Sequence, residues 1–422
     1  MGLMLKKKHR RLTVSSLLYW MLSLTIFADF LNGLLPKLNI GMIYRFALMV
    51  LCLITIIRFS AKLSKVVLPI LFYLCLNTLI SAFRHGSIAG ISYDLKMMMR
   101  VMTSINITFA VLALYRKGWF TSEMVKKAIE NNLWYTPMLF IVTRILNIGN
   151  VSYEYNQVGF KSVFLSLNSV NIALILLYTY SVFRIFDSKH PWRWGAATVY
   201  VAIPMLMLGT KTSIAIILVV PVLCTFLHLR TRKGRRICLA LVGVVAVASV
   251  IWLDSLLKAL GGVLARQTYL FQNRDLASYI FSGRNWMLET ATEYYFKMSS
   301  PLEYLFGQGY YYSHNQLAIM SSYLTTAEVR PIEMDWADLL LAYGPLSLLF
   351  TYAYGIQLLY RCRKHWRDRL VQPYYIATII LLGFSALAGH VYTEAISSTF
   401  LAFAMCGMIL NEADIKKKLR RC

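Results

Sequence analysis

The chain alternates long apolar runs with short, mostly basic connections. Twelve apolar blocks can be delimited, over residues 13–35, 40–57, 66–82, 98–114, 133–148, 162–183, 195–208, 212–229, 237–253, 336–360, 373–388 and 391–410. Most approach the roughly 20 residues that a helix needs to cross the hydrocarbon core of a bilayer, and the seventh and eleventh are the shortest of them. Within a block the apolar residues run unbroken instead of alternating with polar ones, which excludes the strands of an outer-membrane barrel. The pattern predicts an all-α, polytopic membrane protein with about 12 transmembrane helices.

One run has to be divided. The stretch "AIPMLMLGTKTSIAIILVV", residues 202–220, carries Lys211 at its centre. In an uninterrupted span that ammonium would cost roughly 2.5–3.5 kcal/mol on insertion scales. A break at Gly209 and Thr210 makes two spans and moves the lysine to their turn, where a long side chain reaches the headgroup region at little cost.

Composition and charge agree with this reading. Of 422 residues, 58% are hydrophobic and only 15% charged, with a mean hydropathy of +0.55. A soluble domain is nearer half apolar and a quarter charged. The net charge of +25 would suggest nucleic-acid binding in a soluble protein. Here the basic residues sort to one side: with the N-terminus inside, the inner connections and tails hold 30 of the 44 lysines and arginines. That asymmetry predicts cytoplasmic N- and C-termini. The opening "KKKHRR" precedes an apolar segment longer than the core of a signal peptide, so it is expected to stay as the first span. The seven cysteines fall in spans or on the inner side, which implies no disulfide outside the cytoplasm.

Three regions follow: nine spans over 1–253, a large outer segment over 254–335, and three spans with a basic tail over 336–422. The outer segment is mixed in charge. Within it, "FSGRNWMLETATEYYFKMSSP" predicts a helix that Ser282 can cap, with Met287, Ala291, Tyr294 and Met298 along one stripe and Glu293 four residues before Lys297. Pro301 is expected to end it, and "LFGQGYYYSHN" reads as a glycine-punctuated, tyrosine-rich turn.

Candidate chemistry gathers on the outer side. Lys211, flanked by the hydroxyls of Thr210 and Thr212, is placed to meet a lipid-linked phosphate; its structural alternative is an ordinary turn lysine. Arg284 opens its helix, where free backbone N–H groups and a guanidinium together make an anion site; the alternative is a plain surface arginine. In "VRPIEMDWADLLLAYG", Arg330, Glu333, Asp335 and Asp338 crowd the start of the tenth span. Asp335 can be its N-cap, but three carboxylates in six residues exceed what a cap needs. Packed together they would raise one another's pKa, which suits a general base. His314 is a loop histidine, polar surface or catalytic. His390 and Glu394, at the turn between the last two spans, are within reach of the same cavity, and Asp29, in the outer half of the first span, is expected to be a buried polar partner. The sequence has no P-loop, no Rossmann fingerprint, no Gly-x-Ser-x-Gly and no metal cluster of convincing spacing, so no cofactor is implied.

Several of these pieces occur together in a known family. "LGTKTS" at a span hairpin, "SGRNWMLETA" followed by "PLEYLFGQG", and "LLLAYGPLSLLF" after a polar motif resemble the O-antigen polymerase and O-antigen ligase superfamily. The resemblance covers roughly residues 160–410 by motif and the rest by topology. It implies a GT-C-like fold and a metal-independent glycosyltransferase in the bacterial inner membrane. Its substrates would be sugars carried on undecaprenyl diphosphate at the outer face, and a chain-length regulator is a possible protein partner. It further implies that Arg284 is the family's loop arginine and that Lys211 stands where many members have arginine, both binding the diphosphate. Glu333 or Asp335 would take the acceptor's proton, with His314 a further catalytic candidate, and Arg266, Arg330, Asp338 and Tyr311 would position the chain. Ligase-like members carry histidine about eleven residues before the glycine matching Gly344. Here that position is Glu333, which is more similar to the polymerases. A ligase acting on finished chains and a flippase for the lipid-linked sugar are the alternatives.

Overall fold

A computed structural model of the protein describes residues 14–420, apart from 87, 154–156, 230, 233, 241–260, 262–264, 266–267, 270, 273–274, 282, 322–328 and 388. The described chain is helical, and its only strand-like pairing there is an isolated bridge between Tyr153 and Val158. The helices are α1 (Val14–Ser23), α2 (Thr25–Leu34), α3 (Ile40–Phe59), α4 (Ala61–His85), α5 (Ile88–Arg116), α6 (Ser122–Ile145), α7 (Leu167–Asp187), α8 (Pro191–Leu208) and α9 (Lys211–His228). Within the outer segment lie α10 (Leu276–Phe281), α11 (Arg284–Met298), α12 (Pro301–Phe306) and α13 (Tyr310–Met320), and from its end follow α14 (Asp335–Tyr343), α15 (Tyr354–Cys362), α16 (Gln372–Leu387) and α17 (Ala395–Leu419).

Six of the described helical stretches are long and apolar enough to cross a membrane: Pro36–Phe59, Ala61–Arg84, Gly90–Arg116, Leu167–Asp187, Lys211–His228 and Ala395–Leu419. Counting α1 and α2, bent by 52°, as one broken span makes seven. These are the helices of a membrane protein. The other predicted spans coincide with helices that are shorter, more polar or broken, except the ninth, which falls mostly outside the described residues.

Burial separates centre from rim. The apolar windows of α7 and α17 are 94% and 100% buried, against 22–28% for α3, α4 and α9. A helix apolar on every side is stable only when other helices or lipid surround it. Here α17 packs on α5, α7 and α16, and α7 on α8 and α16, so these two helices form the axis of the bundle.

The outer segment has its own small core of Met287, Ala291, Tyr294, Leu317, Ile332, Met334, Ala337 and Leu341, joining α11, α13 and α14. Three of the four predicted stripe residues enter it, whereas Met298 is 67% exposed. The Glu293–Lys297 pair forms, at 2.5 Å. Two local expectations are corrected. Pro301 does not only end α11: it opens α12, whose Glu303 accepts from the Ser300 N–H at 2.6 Å. And "YYYSHN" is not a turn but the start of α13.

The glycines of "FGQG" explain the second correction. Gly307 and Gly309 have φ of +76° and +81°. Their segment lies flat on the end of α14, where the Gln308 and Gly309 N–H groups each donate at 2.9 Å, to the Leu341 and Ala342 carbonyls. A Cβ on Gly307 would sit 2.4 Å from the Ala342 carbonyl, and one on Gly309 would sit 2.1 Å from the Ser81 hydroxyl. These glycines permit close backbone approach, and α13 begins directly behind them.

Candidate functional site

Five segments of the chain meet around a cavity of about 600 Å³: the connection before α7, the α8–α9 turn, the α10–α11 junction, the residue before Met334, and the turn before α17. Of the nine site residues expected from sequence, Lys211, Arg284 and Glu333 line it. Lys161, Tyr279, His390 and Glu394 join them.

Lys211 is held by the turn that was expected. Gly209 ends α8 at φ +66°, and the Thr210 hydroxyl caps α9 by accepting from the Ser213 N–H at 3.0 Å. Thr210 also accepts from the Asn171 amide on α7, so its hydroxyl is engaged by the turn and by that helix. The Lys211 ammonium lies 4.4 Å from the centre of the Tyr279 ring and donates to the Tyr279 carbonyl. A cation over an aromatic face gains about 0.5–2 kcal/mol.

Arg284 is the first residue of α11, after Gly283 at φ +83°; the expected cap, Ser282, lies outside the described residues. Its guanidinium donates to the Phe281 carbonyl at 3.3 Å and forms an ion pair with Glu333. Its Nε is buried without a hydrogen-bond partner.

Glu333 has φ +65°, a left-handed conformation that residues other than glycine rarely adopt. Such a backbone costs on the order of 1–3 kcal/mol and persists only where its surroundings enforce it. Here Ile332 and Met334 are buried on either side, and the Ile332 N–H is fixed at 2.8 Å by Asp338. The strained residue presents its carboxylate to the cavity.

Asp335 is placed differently from the expected N-cap. It is the first residue of α14, with no cap bond from Met334. Fully buried, its carboxylate turns to the end of α16 and the turn before α17: one oxygen accepts from the Ser385 hydroxyl at 2.7 Å and from the Val391 and Tyr392 N–H groups at 2.6 and 2.9 Å. The other accepts from the Thr393 hydroxyl and N–H at 2.6 and 3.3 Å. Five donors on one carboxylate outweigh a cap, and they shape the turn that carries His390 and Glu394.

Asp338 and His314 form a second buried unit, with His314 Nε2 2.8 Å from Asp338 Oδ1 and His314 Nδ1 2.8 Å from the Tyr310 carbonyl. His314 stacks on the Tyr310 ring at 3.9 Å. Both groups lie behind the cavity wall and do not line it. Tyr311 gives its N–H to Asp94 at 2.7 Å, and Arg330 lies over Trp286, at 5.7 Å. Neither is brought to the cavity, and Arg266 lies outside the described residues.

Burial works against charge on His390, but Asp338, Glu333, Asp335 and Glu394 outweigh it and hold its pKa above the ordinary histidine value. Burial would raise the Glu394 pKa, yet Arg100, His390 and Arg45 hold it below the usual carboxylate value. Arg100 lies 3.6 Å from Glu394, and Asp29 is buried and pairs with the half-buried Arg45, the role expected of that aspartate. Before any charge on His390 is counted, the lining carries Lys161, Lys211 and Arg284 against Glu333 and Glu394. The surplus is positive, in a polar hollow at the end of an apolar bundle.

Sequence reasoning did not single out Lys161 or Tyr279. Lys161 had a signal: it is a lysine in an outer connection, on the side where the topology predicts few of them.

No family model matches the chain, and no curated protein matches it.

Proposed function

We propose that the protein is a polysaccharide repeat-unit polymerase, a glycosyltransferase acting on sugars linked to a polyprenyl diphosphate. The observation that carries this reading is the convergence of Lys161, Lys211 and Arg284 on one cavity that also holds carboxylates, at the end of an apolar helical bundle. A diphosphate is the anion that three cations suit, and a lipid carrier is the substrate that a cavity among membrane helices suits. The twelve-span topology with a GT-C-like arrangement, the bacterial inner membrane and the cytoplasmic termini belong to the same proposal, as do O-antigen or capsule as the product class and a chain-length regulator as partner.

In the transfer, a hydroxyl of one lipid-linked repeat attacks the anomeric carbon of the sugar on a second carrier. The new C–O bond forms as the bond to the phosphate oxygen breaks, and the electron pair leaves with the diphosphate. Lys211 and Arg284 stabilise the growing charge on that leaving group, the electrostatic share that weighs heavily in such reactions. Glu333, paired with Arg284, sets the guanidinium's position.

The test is complementation of a strain lacking the gene. Arg284→Ala is expected to abolish long chains while the protein still inserts and folds, with Arg284→Lys restoring part of the activity. Long chains made normally by Arg284→Ala would defeat this reading. A flippase is the second reading, favoured by the Asp29–Arg45 and Arg100–Glu394 ion pairs between helices. It predicts single repeats trapped on the cytoplasmic face of the deletion strain. Full-length polymer left on its carrier would indicate a ligase.

A further inference from the structure

The transfer needs a group to take the acceptor's proton, and the carboxylates in and behind the cavity wall are poorly suited to it. Glu333 is engaged by Arg284. Glu394 is kept ionised by Arg100, His390 and Arg45 and is a correspondingly weak base. Asp335 is fully buried with five donors on it, and Asp338 is fully buried against His314 and the Ile332 N–H. His390 remains.

Its hydrogen bonding fixes the tautomer. The Thr393 hydroxyl donates to Asp335 Oδ1 at 2.6 Å, so towards His390 its oxygen can only accept. His390 Nδ1 lies 2.8 Å from that oxygen and therefore carries a hydrogen. Asp335 and Asp338 lie 3.9 and 3.8 Å from the same nitrogen. In the neutral ring Nε2 then bears the lone pair, on the edge opposite these partners, and His390 lines the cavity. A carboxylate held near one nitrogen while the other works on substrate is the arrangement by which histidine acts as a base.

Resting on the glycosyl-transfer reading, we propose that His390 is the catalytic base of this cavity. In this assignment Thr393, Asp335 and Asp338 hold the ring at Nδ1, and the buried His314 fixes Asp338. The acceptor O–H proton passes to Nε2 as the oxygen forms its bond to the anomeric carbon. The imidazolium produced faces Asp335 and Asp338 and is stabilised by them. The charged groups facing His390 are Glu333 before α14, Asp335 and Asp338 on α14, and Glu394 before α17, with Lys161, Lys211 and Arg284 across the cavity. The four carboxylates hold its pKa above the ordinary histidine value, which makes the ring a stronger base.

The experiment uses the full chain in liposomes, with polyprenyl-diphosphate-linked repeat units of its host as substrate, and follows polymer formation against pH. Wild type is expected to lose kcat/KM about tenfold per unit as pH falls below the His390 pKa, the behaviour of a single required base. His390→Gln is expected to lose about 10²–10⁴-fold in kcat, the usual share of general-base catalysis, with KM little changed and the acidic limb gone. Asp338→Asn removes an anion and should move the limb to lower pH. Thr393→Val, nearly isosteric, should lower kcat without weakening substrate binding, and it tests the proposal even if His390→Gln does not fold. A folded His390→Gln that keeps its activity and acidic limb overturns the base assignment alone, as does a Thr393→Val with unaltered kcat. A wild-type protein that makes no polymer overturns the glycosyl-transfer reading and this proposal with it.

Discussion

Asp335→Ala separates two roles that the sequence leaves together, base and scaffold. The carboxylate accepts five hydrogen bonds from Ser385, Val391, Tyr392 and Thr393 and is fully buried. Hydrogen bonds to a charged group contribute about 1.5–3 kcal/mol each, but losses within one network are not additive. Breaking a buried charged network by removing one partner costs about 3–5 kcal/mol, and this is the expected loss. Asp335→Asn should do little better. One oxygen survives, but the amide nitrogen is a donor facing donors, whichever way it is turned. The assay is the apparent melting temperature of purified protein in detergent, read by the fraction that stays monodisperse after heating. At about 2–4 °C per kcal/mol for domains of 150–250 residues, and less for a longer chain, a fall of several degrees is expected for both variants. A base without a structural role behaves in the opposite way, losing activity at unchanged stability. Melting within a degree of wild type for Asp335→Asn would refute the scaffold role.

The remaining expectations concern the packing and the charges. Gly309→Ala forces a side chain into φ +81° and a Cβ to 2.1 Å from the Ser81 hydroxyl. It should destabilise by at least about 1–3 kcal/mol from backbone strain alone, seen as a lower yield of monodisperse protein. Lys161→Ala and Lys211→Ala each remove one cation from the cavity and should weaken binding of a polyprenyl diphosphate about tenfold, the worth of one charge-assisted hydrogen bond. The loss should shrink at high salt, measured by thermophoresis over a salt series. Stability should also depend on pH in a definite sense. Glu394 is depressed in the folded protein, so its contribution is present above the ordinary carboxylate pKa and fades as pH falls through its lower folded value. His390 is raised, so its contribution is complete below the ordinary histidine pKa and fades as pH rises through its folded value. A pH series of melting temperatures should fall on the alkaline side for wild type and fall less for His390→Gln.

The positions of most helices were legible because their signal is local. The Gly209–Thr210 break could be read from the cost of Lys211 and from the charges on either side, and the structure has the turn there. The "FGQG" segment misled for a physical reason. Glycine serves both turns and close backbone approach, and only the contact with the end of α14 tells which. That contact joins residues more than thirty positions apart, which no local pattern encodes. The same limit applies to Asp335. Its position at a helix start is visible in sequence, but its five donors come from residues 385–393.

The site was legible as charges on one side, and not as partners. Lys211, Arg284 and Glu333 were named because a charge near an apolar span needs a reason. That reasoning orders residues by depth along the membrane normal and says nothing of their arrangement around the bundle. Arg284 and Glu333 meet across 49 positions, while Arg330, only three residues from Glu333, turns away to Trp286 and Ser321. Lys161 shows what a count can hide. Summed over the chain it is one of the minority of basic residues outside the inner connections, a small deduction from the positive-inside balance. Considered singly, a lysine kept on the side where lysines are scarce is more informative than any of those on the side where they are common. It lines the same cavity as Lys211 and Arg284.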